Sequence, residues 1–182
     1  MILNISTLTM GWTPLAFTEA KEQFDHLKAL EEQEEIQFTS PIAMALEARM
    51  VDTHVEIRGT LSFSVSHSCG RCLKSFKETM ESEIALHFVE ASQMEESSDE
   101  AEVELTEEAM DRETYTGETI DLAPLIQDEV VMALPQTPIC NPGCKGLCKA
   151  CGQDLNKKAC QCDTQVGHPA FAKLKVLKGR KE

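Results

Sequence analysis

CNPGCKGLCKACGQDLNKKACQC, residues 140–162, holds six of the chain's eight cysteines, and CGRC at 69–72 holds the other two. Cys148-x2-Cys151 is followed after eight residues by Cys160-x-Cys162. A Cys-x2-Cys turn lets two thiolates and several backbone N–H groups converge on one tetrahedral ion. Gly146 and Gly152 flank the pair, where positive φ and close backbone approach are expected. Gly152, Asp154 and Asn156 are turn formers. Cys148, Cys151, Cys160 and Cys162 are therefore expected to form one ribbon-like zinc site. Cys140-x3-Cys144 is then left to meet Cys69-x2-Cys72 in a second four-cysteine site. That second site closes a loop of roughly seventy residues, a large restriction of the unfolded chain. Two exchanges stay open at this point: Cys144 could join the ribbon, and His168 could replace Cys162. Iron also suits four cysteines.

Eight thiols fill two four-ligand sites with none left over, so two Zn2+ ions are expected. Such sites leave no open position for water, which points away from catalysis. Cys69-Gly70-Arg71-Cys72 also has the spacing of a thioredoxin-like motif. That chemistry needs the first cysteine at a helix N-terminus after a buried strand. Here the downstream residues alternate as a strand, and no βαβ pattern surrounds them. No Walker loop and no GxGxxG occurs, and no cysteine stands apart as a candidate nucleophile.

The 182 residues suffice for one domain plus an appendage, and an apolar fraction of 42 % supports a core. With one Trp and one Tyr, aliphatic side chains must fill that core. No run of 18 apolar residues suggests a membrane span. MILNISTLTMGW lacks the basic start and apolar stretch of a signal peptide. The expectation is a cytoplasmic protein whose thiols stay reduced and hold metal rather than form disulfides.

Charge divides the chain. Residues 1–139 carry 8 Lys+Arg against 28 Asp+Glu, whereas residues 140–182 carry 9 against 3. The acidic part should repel nucleic acid and suit a basic protein partner, and the basic end could attract nucleic acid. We expect an acidic α+β domain over 1–139 and a cysteine-rich zinc module with a short basic helix over 140–182.

Ile2 to Leu8 predicts a first strand, broken by Gly11 and Pro14. Thr18 is placed to cap a helix beginning at Glu19, with Phe24, Leu27 and Leu30 as its apolar stripe. From Ile42 to Ser66 the period becomes two, with breaks at Asp52-Thr53 and Gly59. Phe76, Met80, Ile84, Leu86 and Phe88 predict a return strand with a register break near Met80. The result is an antiparallel sheet, with Cys69 and Cys72 at the tip of a hairpin, plus a few packing helices. Residues 91–113 are so acidic that a flexible loop is expected. Asp121 is placed to cap a helix carrying Leu122, Ile126, Val130, Ala133 and Leu134 on one face, with Pro124 in its first turn and Pro135 ending it. Pro169 should open the basic helix, with Phe171, Leu174 and Leu177 packing.

Four blocks together resemble the YceD family: CGRCLKSF at 69–76, IDLAPLIQDEVVMALP at 120–135, CKGLCKACGQDLNKKACQC at 144–162 and HPAFAKLKVLK at 168–178. Cys69 and Cys72 match its CxRC, Cys148 and Cys151 its GLCxxCG, and Cys160 and Cys162 its closing CxC. The chain has Lys149 where many relatives have proline, and His168 where Asp is common; neither change removes a thiol. The resemblance implies a non-enzymatic role in synthesis, processing or stability of 23S ribosomal RNA. It also implies a large-subunit ribosomal protein or a 23S rRNA precursor as partner; from the composition and the filled thiol sites, no membrane and no small-molecule substrate are expected.

Overall fold

The structure, a computed structural model, describes residues 1–33, 36–94 and 112–162. The chain divides into two compact units: Met1–His67 with Phe76–Gln136, and Ser68–Ser75 with the segment from Thr137.

Strict alternation of apolar and polar residues builds the first unit. In β4 (Ile42–Val51), Ile42, Met44, Leu46 and Ala48 point inward. In β5 (His54–Ser68), Val55, Ile57, Leu61, Phe63 and Val65 do the same. The two strands pair antiparallel, Met44 opposite Leu61 and Ala48 opposite Ile57, around a turn at Asp52-Thr53. Asp52 takes φ 54°, a conformation Asp tolerates better than most residues. The sheet runs β2 (Thr13–Glu19), β4, β5, β6 (Ser75–Glu90) and β7 (Arg112–Tyr115), and β3 (Ile36–Phe38) also pairs with β5. A separate two-stranded sheet joins β1 (Ile2–Asn4) to β8 (Thr119–Asp121). Helices α1 (Asp25–Gln33) and α3 (Ala123–Ala133) cover the core, with the short α2 (Ala91–Met94) following β6. Phe24 and Leu27 enter the core, as do Leu122, Ile126 and Val130. The buried Gln127 side chain accepts a hydrogen bond from the His26 N–H (2.9 Å), linking the two helices. Among the described residues no helix is long and apolar enough to cross a membrane.

Several local expectations change. The first strand stops at Asn4, because the Asn4 side chain accepts from Ser6 N–H and starts a 3-10 turn. Pro14 does not break the chain. It lies in β2, which among the described residues is an edge strand paired only with β4, where a missing N–H costs little. The helix expected from Glu19 therefore begins at Asp25, after a 3-10 turn at Lys21–Gln23. Gly59 is also inside a strand. A Cβ there would lie 2.1 Å from the Ala45 carbonyl oxygen, so the glycine allows β4 and β5 to approach closely. No register break occurs at Met80. The first half of β6 is largely exposed, and regular burial starts only at Ile84, so what changes is the surroundings and not the backbone. The sheet is not wholly antiparallel, since β7 runs parallel to β6 with Phe88 opposite Glu113. That strand takes the last two residues expected in the acidic loop, and α2 takes the first four. The rest of that stretch, and the basic helix after Pro169, lie outside the described residues.

Candidate metal centre

The second unit is built on two turns of the same design. In the first, the Cys69 N–H donates to the Lys74 carbonyl and the Leu73 N–H to the Cys69 carbonyl, both at 2.9 Å. In the second, the Cys148 N–H donates to the Gln153 carbonyl and the Gly152 N–H to the Cys148 carbonyl, both at 2.8 Å. The fifth residue is left-handed in both, Leu73 at φ 58° and Gly152 at φ 71°. A turn of this shape aims N–H groups at the first sulfur, as the Arg71 N–H does toward Cys69 Sγ (3.4 Å).

The eight thiols gather into two groups of four, Cys69, Cys72, Cys140 and Cys144, and Cys148, Cys151, Cys160 and Cys162. Within each group all sulfur atoms lie within 4.8 Å of one another. Cys144 Sγ is 4.0 Å from Cys69 Sγ, and Cys140 Sγ is 3.7 Å from Cys72 Sγ. A tetrahedron with metal–sulfur bonds of about 2.3 Å has an edge of about 3.8 Å, so the separations suit a four-thiolate ion. A disulfide would need about 2 Å, and all eight cysteines are free. Both groups are positioned to bind metal ions, and their chemistry is consistent with zinc. Cys144, which could have joined the ribbon, sits with Cys69. His168 lies outside the described residues. His67 belongs to β5, buried with its ring 4.5 Å from that of Phe76, and to neither thiol group.

A family model described as "Large ribosomal RNA subunit accumulation protein YceD" matches residues 57–178, a span that contains all eight cysteines. The chain belongs to the YceD family. Uncharacterized proteins of Mycobacterium tuberculosis and Mycobacterium bovis are 31 % identical to it over 134 residues. Those matches cover 74 % of this chain and 60 % of each relative, so the chain spans under two thirds of the relatives' length. A chloroplastic protein of Arabidopsis thaliana, the large ribosomal RNA subunit accumulation protein YCED homolog 1, is 36 % identical over 59 residues, 32 % of this chain and 18 % of that one. No solved structure matches.

In this YceD-family chain the two groups differ in exposure. Cys69, Cys72 and Cys144 are buried and only Cys140 is exposed; in the second group only Cys148 is buried. The electrostatics are alike. Backbone N–H groups, that of Cys140 first, hold the Cys69 thiol down at about 6. The N–H groups of Cys151 and Ala150 hold Cys148 down at about 6. At the other extreme, desolvation and the neighbouring thiols push Cys140 up to about 12. Cys162 is pushed up to about 12 chiefly by Cys151. One thiol of each group ionises readily and the last resists, because thiolates crowded together repel. A divalent cation supplies the charge that lets all four ionise.

Polar side chains brace the thiols. Arg71 Nη1 donates to the carbonyls of Cys144 (2.9 Å) and Pro142 (3.4 Å). The Gly70 N–H donates to the Pro138 carbonyl (2.8 Å), which ties the first turn to the segment carrying Cys140. Gly146, at φ 73°, packs on Arg71, where a Cβ would come within 2.8 Å of the carbonyl oxygen. Asn156 accepts from the Lys145 N–H (2.7 Å) and donates to Cys144 Sγ (3.4 Å). Asp154 accepts from Asn156 Nδ2 (3.0 Å) and pairs with Lys74 Nζ (2.6 Å). Sequence reading marked Asp154 and Asn156 only as turn formers and missed Arg71 and Lys74. Arg71 lies inside the Cys69–Cys72 turn, which was the one available signal; Lys74, two residues past Cys72, carried none.

Proposed function

We propose that this protein is a non-enzymatic factor for large ribosomal subunit biogenesis whose C-terminal module is folded by two structural Zn2+ ions. One ion is held by Cys69, Cys72, Cys140 and Cys144, the other by Cys148, Cys151, Cys160 and Cys162. The observation that supports the reading is the pair of four-thiol groups, each with its sulfur atoms within 4.8 Å of one another, inside the span matched by the family model. A saturated site lends an ion to folding and keeps no position for a substrate. The link to large-subunit ribosomal RNA comes from the names of the family model and of the Arabidopsis relative. The reduced thiols suit a cytoplasmic location.

The acidic body, residues 1–139, holds a basic large-subunit ribosomal protein, and the basic end beyond residue 140 touches the precursor of 23S rRNA. An excess of twenty acidic charges on the body disfavours wrapping RNA directly. A second reading, direct RNA binding by the zinc module, draws on the opposite charge of residues 140–182. Elemental analysis and affinity capture from cells, followed by mass spectrometry, test both. Two zinc ions per chain and a basic ribosomal protein that disappears on deletion of 95–113 are expected. Capture of rRNA alone, with steep salt dependence, favours the second reading. Insulin-reducing activity abolished by Cys69→Ser would replace both with an oxidoreductase using Cys69 and Cys72.

A further inference from the structure

Asn156 lies between Cys151 and Cys160, ligands of the second group, yet its amide Nδ2 donates to Cys144 Sγ of the first group at 3.4 Å. Its Oδ1 accepts from the Lys145 N–H, so one amide grips both the ligand and the residue after it. Asp154 holds that amide from behind, accepting from Asn156 Nδ2 and from the Asn156 N–H, each at 3.0 Å. The other carboxylate oxygen of Asp154 pairs with Lys74, two residues beyond Cys72. The backbone repeats the connection. Leu147 pairs with Asp154 across an isolated bridge, the Leu155 N–H donates to the Gly146 carbonyl, and the Leu147 N–H donates to the Arg71 carbonyl. Only three residues separate Cys144, in the first group, from Cys148, in the second.

From this connection, and resting on the reading that both groups hold zinc, we propose that Asn156 and Asp154 are positioning residues that make the two sites load cooperatively. An ion in the second group fixes the hairpin on which Asn156 stands. Asn156 then presents an N–H donor to Cys144 Sγ and holds that sulfur in place for the first group. An ion in the first group fixes Lys74 and Arg71, which hold Asp154 and Leu147 in place. The effect is reciprocal, as any coupling between two binding equilibria must be. Donors of this outer kind alter metal affinity by roughly 10–100-fold when removed.

The test is native mass spectrometry of the reduced full chain given one equivalent of Zn2+, with the rate of zinc transfer to a chromophoric chelator as second readout. Chains with no ion and chains with two should dominate in the unaltered protein. Asn156→Asp keeps the acceptor for Lys145 but replaces the donor to Cys144 with a carboxylate oxygen. Singly loaded chains should then dominate, and one ion should leave about tenfold faster. Lys74→Met removes the ion pair and leaves the Asn156 donor to Cys144 in place, and should shift the distribution the same way to a smaller extent. It carries the test if Asn156→Asp does not fold. Mostly singly loaded chains in the unaltered protein, or an unchanged distribution in the variants, would overturn the proposal while leaving two zinc sites intact. A chain that takes up no zinc at all would instead overturn the underlying reading.

Discussion

At Cys69–Leu73 and again at Cys148–Gly152 the chain makes the same turn, with the same two hydrogen bonds and a left-handed fifth residue. The first turn finds its remaining cysteines far along the chain, Cys144 being 75 residues from Cys69. The second finds Cys160 and Cys162 in the hairpin that follows it. An identical local device therefore does two jobs. In the first group it joins distant segments and is mostly buried; in the second it shapes a local loop and is mostly open to solvent. Closing roughly seventy residues instead of roughly ten restricts the unfolded chain by an additional ~2 kcal/mol, so the first group should govern the stability of the unit.

The largest expected effect breaks that asymmetry directly. Cys72→Ser should remove the first ion, forfeiting most of a binding energy on the order of 10 kcal/mol, and should release the segment from Thr137 onward. Cys151→Ser should empty the second group while leaving the first loaded, though more weakly. Amide exchange at Gly70, whose N–H is held by the Pro138 carbonyl, reports the difference. Fast exchange in Cys72→Ser and slow exchange in Cys151→Ser is the expected pattern. Equal exchange in the two variants would mean that the groups are equivalent and that sequence separation carries no weight.

A smaller effect sharpens the comparison at the glycines. Gly146→Ala places a methyl group 2.8 Å from the Arg71 carbonyl oxygen at positive φ, where backbone must move. A loss on the order of 2 kcal/mol is expected, read as faster loss of zinc to a chelator. Gly152 also has positive φ, but no atom of the described residues lies within 4 Å of a Cβ built there. Gly152→Ala should therefore lose only about 1 kcal/mol, from backbone conformation alone. If Gly152→Ala were the worse of the two, the contact between Gly146 and Arg71 would not be a seam of the unit.

Cysteine spacing made the grouping of the thiols legible in advance, because eight cysteines that come mostly in close pairs divide into two sets of four in few ways. The β4–β5 hairpin was legible for a similar reason: burial on one face writes a period of two into Ile42–Ala48 and Val55–Val65. Where neither constraint applies, the sequence misled. Thr13–Glu19 contains a proline and half-exposed residues at every second position, so the strand looks like a break. The first half of β6 is legible as strand from Phe76 onward, but only Phe76, Met80 and Ser82 there are half-buried, and so thin a rhythm looks like a register break near Met80. β7 pairs with β6 across a long insertion, and parallel pairing of so short a strand leaves no local signature. The braces Arg71, Lys74, Asp154 and Asn156 escaped for a different reason. Their partners are distant in sequence or belong to the other thiol group, and nothing in a linear pattern pairs a lysine at 74 with an aspartate at 154.

The smallest expected effect tests whether the two turns are equivalent where they differ most, at the fifth residue. Gly152 adopts φ 71° without strain, whereas Leu73 adopts φ 58° with a branched side chain that is 68 % exposed. A left-handed conformation costs an L-residue roughly 1–2 kcal/mol, and so exposed a side chain recovers little of that through burial. Leu73→Gly removes the strain but gives the unfolded chain more freedom, worth about 0.5–1 kcal/mol in the other direction. The net expectation is a gain of up to ~1 kcal/mol, which would slow zinc loss from the first group by up to about fivefold. Leu73→Asn, which tolerates the left-handed region better than Leu, should fall between the two. A gain places Leu73 in the first turn at the expense of stability, with the same hydrogen bonds tolerating either residue. A loss would mean that the leucine side chain itself supports the turn, and the likeness between the two knuckles would then end at their backbone.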